Sequence, residues 1–253
     1  MIEPLVVIVP VYNAEPTLAK VIKDVRRNLP GAWVIGVDDG STDGSRTLLK
    51  KVADQTIEFD KNRGKGAALR AAFDAALERG AKAVLTIDSD GQHDAAFAPA
   101  IVGALDRADI VIGTRDLSGK AVPKHRRIAN MISSAATRAV SGGKVRDSQS
   151  GYRAIKAEVL RKVDAVGDRY EYETDFIIRA ARAGFTTVNV PISTIYGSPS
   201  YFREFRDAWL VIKVLWRHRA GIFKRCDSSA PTTTVYSLTA CPVSSGRRSR
   251  SGR

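Results

Sequence analysis

Two aspartates, Asp88 and Asp90, stand two positions apart where an apolar run ends in a turn, Thr86-Ile87-Asp88-Ser89-Asp90-Gly91-Gln92-His93-Asp94. Carboxylates spaced this way at a strand end present several hard oxygens along one edge. Mg²⁺ or Mn²⁺ takes such ligands, commonly one or two carboxylates completed by substrate phosphates, and can neutralise charge building on a diphosphate leaving group. A solvated acidic turn has the same composition, so the pair has to be weighed with its neighbours. Asp38 and Asp39 end a second apolar run and precede Gly40-Ser41-Thr42-Asp43-Gly44. Ser41, Thr42 or Asp43 can cap a following helix, and a carboxylate at a strand end can accept hydrogen bonds from a nucleobase or ribose. A third cluster, Asn62-Arg63-Gly64-Lys65-Gly66, opens a helical pattern with two glycines and two cations, a turn able to approach phosphate closely. Neither glycine spacing fits a dinucleotide-type or Walker-type loop.

The elements that must carry these clusters are legible as alternating patterns. Apolar runs at 5–9, 33–37, 56–59, 84–87, 110–112 and 186–190 predict strands, and apolar residues at helical spacing over 15–28, 45–52, 66–77 and 97–105 predict helices. Near-continuous hydrophobicity suits strands buried on both faces of a mainly parallel sheet. The alternation therefore predicts an α/β fold, a sheet flanked by helices. Ligands of open α/β sheets bind beyond the carboxyl ends of the strands. The polar turns at 10–13, 38–41 and 88–91 each follow a strand and are expected to line one crevice.

At 253 residues, 44% hydrophobic and 26% charged, the chain can bury a core of its own. Its net charge of +13 is concentrated at one end: Arg217–Arg253 holds eight Lys or Arg against one acid, Asp227. Such an excess suits an anionic partner or a solubilising tail. No recognisable nucleic-acid motif accompanies it, and nucleic acid is not expected as a partner. Both cysteines, Cys226 and Cys241, lie in this segment, which argues against a disulfide framework and for a reducing compartment. Glu3 stands where a signal peptide would want positive charge, and no apolar stretch is long enough to span a bilayer. The expected location is cytoplasmic and peripheral, on the inner face of the cell membrane. Three regions are expected: 1–200 as the catalytic domain, 201–227 as a basic amphipathic helix region, and 228–253 as a disordered tail rich in Ser, Thr, Pro, Gly and Arg. Phe202, Phe205, Trp209, Ile212 and Trp216 recur at helical steps among basic residues. That pattern suits either a helix in the membrane interface or one docked on the protein's own core.

Together the motifs resemble the family 2 glycosyltransferases of the GT-A fold, with the best match in the dolichol- or polyprenol-phosphate sugar synthase branch. The resemblance runs from about Val6 to about Trp216. It rests on Val9-Pro10-Val11-Tyr12-Asn13, the Asp38–Asp43 and Asn62–Gly66 clusters and Asp88-Ser89-Asp90-Gly91-Gln92-His93. It continues through Gly113-Thr114-Arg115, Asp147-Ser148-Gln149-Ser150-Gly151-Tyr152-Arg153 and Tyr172-Glu173-Thr174-Asp175. The resemblance implies a nucleotide-sugar donor surrounded by Pro10, Tyr12, Glu15, Asp38, Asp39 and Asp88, with Lys65 at the phosphate-side turn. Asp88, Asp90 and Gln92 would be the ligands of Mg²⁺ or Mn²⁺. The family often has Pro after its His-Asp pair, where this chain has Ala95.

The acceptor decides the rest of the chemistry. A hydroxyl acceptor requires a general base, for which Asp147, Glu173 and Asp175 are the candidates. A polyprenyl phosphate is already an anionic nucleophile and needs cations to orient it, with Arg favoured for its planar fork. By resemblance Arg115 and Arg126 or Arg127 would hold that phosphate, with Arg153 next and Lys124 nearby; Asp90, Arg115 and Arg127 would form the catalytic set. The leading expectation is an inverting hexosyltransferase from a GDP- or UDP-sugar to polyprenyl or dolichyl phosphate, with membrane contact of its own or through a partner. The alternatives are transfer to a glycan hydroxyl in envelope or exopolysaccharide assembly and a non-catalytic nucleotide-sugar binder.

Overall fold

The computed structural model describes residues 2–115, 134, 135, 137, 138, 145–193 and 204–218; for 204–209 and 211 it describes the backbone alone. Seven strands form one mixed sheet: β1 (Leu5–Val11), β2 (Trp33–Asp38), β3 (Gln55–Glu58), β4 (Ala83–Thr86), β5 (Ile110–Arg115), β6 (Arg153–Lys156) and β7 (Thr187–Ile192). Their order is β3-β2-β1-β4-β6-β5-β7. Every pairing is parallel except the two made by β6, which runs antiparallel to both β4 and β5.

The helices are α1 (Glu15–Asn28), α2 (Ser45–Val52), α3 (Lys65–Glu78), α4 (Ala98–Gly103), α5 (Ala157–Lys162), α6 (Glu171–Arg182) and α7 (Glu204–Arg217). In α1, Leu18, Val21, Ile22 and Val25 give one apolar stripe, Pro16 sits in the first turn where its missing N–H costs nothing, and Arg26 and Arg27 face the negative end of the helix dipole. The expected helix at 97–105 is shorter, flanked by single 3₁₀ turns at 95–97 and 104–106.

Strand alternation divides the core into two layers. Val7, Val9 and Val11 of β1 pack with Leu18 and Ile22 of α1 and Ile101 of α4 on one face. Val6 and Ile8 pack with Ala68, Leu69 and Phe73 of α3 and Phe176 of α6 on the other. Burying each such valine, leucine or isoleucine is worth about 1.5–3 kcal/mol, which is why the strand runs read as continuously apolar. Within the core, Gly36 leaves no room for a side chain, because a Cβ there would collide with Leu49. Gly36→Ala is expected to destabilise the protein by about 1–3 kcal/mol through overpacking, measured as a lower urea midpoint with an unchanged slope.

The sequence patterns missed β6, α5 and α6. The antiparallel strand matters for the site. Its register, Thr86 opposite Arg153 and Ile112 opposite Arg153, brings the start of β6 to the sheet edge where β4 and β5 end. Residues 145–152 are thereby delivered to the crevice from the opposite chain direction.

Candidate active site

Three turns at the carboxyl ends of β1, β2 and β4 are tied together by their own polar groups. Asn13 donates its amide to Ser41 Oγ at 3.0 Å and accepts from the Thr42 amide through Oδ1 at 2.8 Å. The Ala14 amide donates to Ser45 Oγ at 2.8 Å, and Thr17 Oγ1 to the Ser89 carbonyl at 2.6 Å. Glu15, expected beside the nucleoside, accepts from the Gly44 amide at 2.9 Å and so braces α1 against the start of α2.

Asp38 and Asp39 are buried and held differently. Asp38 accepts from Arg46 Nε at 2.8 Å, while Arg46 Nη2 donates to the Phe59 carbonyl at 2.7 Å. Arg46 escaped the sequence reading, since nothing in its spacing marks it as the partner of Asp38. Asp39 accepts from the amides of Arg63 at 2.6 Å and Gly64 at 2.9 Å; burial pushes its carboxyl above the ordinary range, against the pull of those two amides. Gly64 lies at φ +105°, a conformation that favours glycine, and a Cβ there would meet the Asp168 carbonyl at 2.3 Å. The Ala67 amide donates to that same carbonyl at 3.1 Å. Three amides of this turn, those of Arg63, Gly64 and Ala67, are therefore spent on Asp39 and Asp168, and the turn sends the Lys65 side chain to Asp88.

At the end of β4, Asp88 lies 2.6 Å from Lys65 Nζ through Oδ1 and 3.5 Å from His93 Nε2 through Oδ2. Burial alone would raise the Asp88 carboxyl, but Lys65, with His93 beside it, holds it far below the ordinary range. Asp90 accepts from the Gln92 amide at 2.9 Å; burial and the Asp88 charge push its carboxyl up. The donor set suits a hard divalent cation, since two carboxylates share one turn and, among the described residues, Asp88 alone of the two has a close cationic partner. Among the described residues no group of three or more His, Cys, Asp or Glu side chains is arranged to hold a metal. A cation here would thus need phosphate oxygens to complete its shell. The His93 ring packs on Tyr152 at 5.2 Å between centroids; its buried Nδ1 and the Tyr152 hydroxyl have no hydrogen-bond partner among the described residues.

Among the residues expected to hold the acceptor, Arg115 closes β5 and forks onto Asp147, with Nε to Oδ2 at 2.7 Å and Nη2 to Oδ1 at 3.0 Å. Burial would raise the Asp147 carboxyl; Arg115 reverses this and holds it below the ordinary range. Arg153, expected among the acceptor cations, is buried, and its guanidinium donates to the carbonyls of Ser150, Ser148 and Glu173 at 2.7, 2.8 and 3.1 Å. That geometry orders the turn before β6 and commits the guanidinium to backbone carbonyls. Lys124, Arg126, Arg127 and the 228–253 tail lie outside the described residues.

The three candidate bases are also accounted for. Asp147 is the partner of Arg115. Glu173 is buried 3.3 Å from Lys65 Nζ. Asp175 is fully buried and takes His218 Nε2 at 2.7 Å, Arg179 Nε at 2.5 Å and the Val166 amide at 2.9 Å. That last cluster fastens α7 to α6, with Val214 packed on Ile178 beside it.

Comparison with known proteins gives a consistent set of likenesses. The family model described as Glycosyl transferase family 2 matches residues 6–164. Polyprenol monophosphomannose synthase of Mycolicibacterium smegmatis is 34% identical over 200 residues, 74% of this chain and 76% of that one. Undecaprenyl-phosphate mannosyltransferase of Micrococcus luteus is 32% identical over 199 residues, covering 74% and 82% of the two chains. Among solved structures, glucosyl-3-phosphoglycerate synthase of Mycobacterium tuberculosis, in complex with Mn²⁺, UDP and phosphoglyceric acid, superposes with a TM-score of 0.70 at 21% identity, over 85% of this chain and 78% of that one. At that identity the likeness establishes a shared fold.

Proposed function

This chain belongs to glycosyl transferase family 2, has the GT-A fold and falls with the polyprenyl- and dolichyl-phosphate sugar synthases; from that premise we propose that it transfers a hexose from a GDP- or UDP-linked donor to polyprenyl or dolichyl phosphate, inverting the anomeric centre. The observation that carries the acceptor assignment is the state of the candidate bases. Asp147, Glu173 and Asp175 are all buried in ion pairs, so none of the three is placed to take a proton from a hydroxyl. A lipid monophosphate needs no such base, because its oxygen is already an anion.

In this reading Pro10, Tyr12, Glu15, Asp38 and Asp39 surround the nucleoside, and Asp88, Asp90 and Gln92 form the cation side of the donor diphosphate. A bound Mg²⁺ or Mn²⁺ would supply charge neutralisation for the departing nucleoside diphosphate. Arg115, locked in orientation by Asp147, presents positive charge at the end of β5 for the acceptor phosphate, together with Arg126 or Arg127. Among the described residues no helix is long and apolar enough to cross a membrane. Ile212 and Trp216 of α7 are 52% and 65% exposed, and with Lys213 and Arg217 they suit contact with the surface of an anionic bilayer on its cytoplasmic side.

The test is transfer of label from GDP- and UDP-hexoses to polyprenyl phosphate, with Mg²⁺, with Mn²⁺ and with chelator. Label is expected in the lipid fraction only when the cation is present. Label reaching glycan hydroxyls while polyprenyl phosphate stays unlabelled would replace the lipid-phosphate acceptor with a glycan.

A further inference from the structure

Lys65 joins the donor side of the crevice to α6. Its Nζ lies 2.6 Å from Asp88 Oδ1 and 3.3 Å from Glu173 Oε2, and its side chain is 14% exposed, against 26% for Asp88 and 6% for Glu173. The ammonium is confined from several directions. A Cβ on Gly151 would stand 2.5 Å from Nζ and 2.4 and 2.6 Å from the two Asp88 oxygens, so the absence of a side chain there is what lets the pair form. The Tyr170 ring centroid is 5.9 Å from Nζ. Gly66 lets the first turn of α3 lie against Tyr172 and the backbone of Asp168 and Arg169.

The two carboxylates are not equivalent. Glu173 has a second cation, Arg153 Nη2 at 3.9 Å, and keeps it if Lys65 moves. Among the described residues Asp88 has besides Lys65 the His93 ring, 3.5 Å away, and it is the more exposed of the two. A cation entering the crevice therefore meets Asp88 already occupied by a fixed positive charge, on the carboxylate it would need.

We propose that Lys65 is the resident counter-ion of Asp88, holding the carboxylate when no divalent cation is bound and competing with that cation for it. The proposal rests on the reading of Asp88 and Asp90 as cation-side ligands. Its consequence is coupling. A divalent ion alone must displace or repel the ammonium and binds weakly, whereas a nucleoside diphosphate offers Lys65 a new anionic partner and releases Asp88 to the ion. By linkage, the ion must strengthen nucleotide binding by the same factor.

The experiment is Mn²⁺ binding to the full chain, followed by the electron paramagnetic resonance of the free ion, alone and with saturating UDP or GDP. In wild type, Mn²⁺ alone is expected to bind weakly and nucleotide to tighten it. Lys65→Gln is expected to tighten binding of Mn²⁺ alone by about ten-fold, the scale of removing one nearby like charge partly screened by solvent, and to shrink the nucleotide effect. Equal or weaker Mn²⁺ binding in Lys65→Gln, with Asp88→Asn abolishing binding in either background, overturns the counter-ion role. Mn²⁺ binding that survives Asp88→Asn at wild-type strength overturns the cation-site reading instead. Should Lys65→Gln fail to fold, the wild-type protein carries the test through its lysine ammonium ¹H–¹⁵N resonances, with Lys65→Arg for assignment. The Lys65 signal is expected to shift when Mg²⁺ and nucleotide are added together, and an unmoved signal overturns the proposal.

Discussion

Asp90→Asn is expected to lower transfer by at least about a thousand-fold while leaving the fold and its stability intact. Loss of one carboxylate ligand removes several kcal/mol of charge stabilisation at the leaving diphosphate, and about 4 kcal/mol corresponds to three powers of ten in rate. Asparagine is the informative substitution, because its side-chain oxygen can still accept from the Gln92 amide that Asp90 takes at 2.9 Å. Stability should hold or rise slightly. Burial and the neighbouring charge of Asp88 already work against ionised Asp90, so a neutral isostere relieves that repulsion. Asp88→Asn should behave in the opposite way. It leaves Lys65 with Glu173 alone, and the unfolding midpoint should fall along with activity. Initial rates with labelled donor, read beside thermal unfolding of both variants, decide the matter. Asp90→Asn working within ten-fold of wild type would end the assignment of this turn to the donor diphosphate.

What could be read from the residues alone follows the physics of burial. β1, β2 and β4 were legible because both faces of each strand are covered, leaving runs such as Val6, Val7, Ile8 and Val9 with no polar interruption. β6 was not, because a four-residue strand beginning with Arg153 and ending with Lys156 carries charge where a core strand should be apolar. Arg153 can be buried there only because three backbone carbonyls take its guanidinium. α6 was hidden in the same manner: Glu171, Glu173 and Asp175 are buried acids in its first turns, so the segment reads as a polar motif and its helical period is obscured. The pairing of Asp88 with Asp90 was visible as a two-residue spacing. Two partners that set the electrostatics, Lys65 for Asp88 and Asp147 for Arg115, are brought close by sheet order and an antiparallel strand, and no local spacing encodes that; Arg46 reaches Asp38 more locally, from the first turn of α2 back across the β2–α2 turn. The Asn62–Gly66 turn shows the same limit, since its glycines fit a phosphate-facing turn while the amides of Arg63 and Gly64 bind the protein's own Asp39.

Replacing Arg115 should expose two separable effects, one on the fold and one on the acceptor. Asp147 is 1% exposed, and the guanidinium supplies two of its hydrogen bonds; the amides of Gln149 at 3.2 Å and Arg115 itself at 3.4 Å are weaker support. Arg115→Met therefore strands a buried carboxylate, at a cost of about 3–5 kcal/mol. Arg115→Lys keeps a charge but loses the two-pronged fit, and should cost about 1–2 kcal/mol. The dependence on pH should change sign. In wild type the Asp147 carboxyl lies below its ordinary range, so its contribution is complete above that range and is lost as pH falls through the lowered value. Without the guanidinium, burial dominates and the carboxyl rises, so Arg115→Met should gain stability as pH falls from the raised value down to the ordinary carboxylate range. Urea unfolding at pH 7, near pH 5 and near pH 3 follows both: the Asp147 contribution in wild type holds from pH 7 to about 5 and declines toward about 3, whereas in Arg115→Met it grows as pH falls to about 5. The double variant Arg115→Met with Asp147→Leu removes the stranded charge and should recover most of the lost stability without restoring transfer. Recovery of transfer together with stability would reduce Arg115 to a structural partner of Asp147 and leave the acceptor phosphate to other cations.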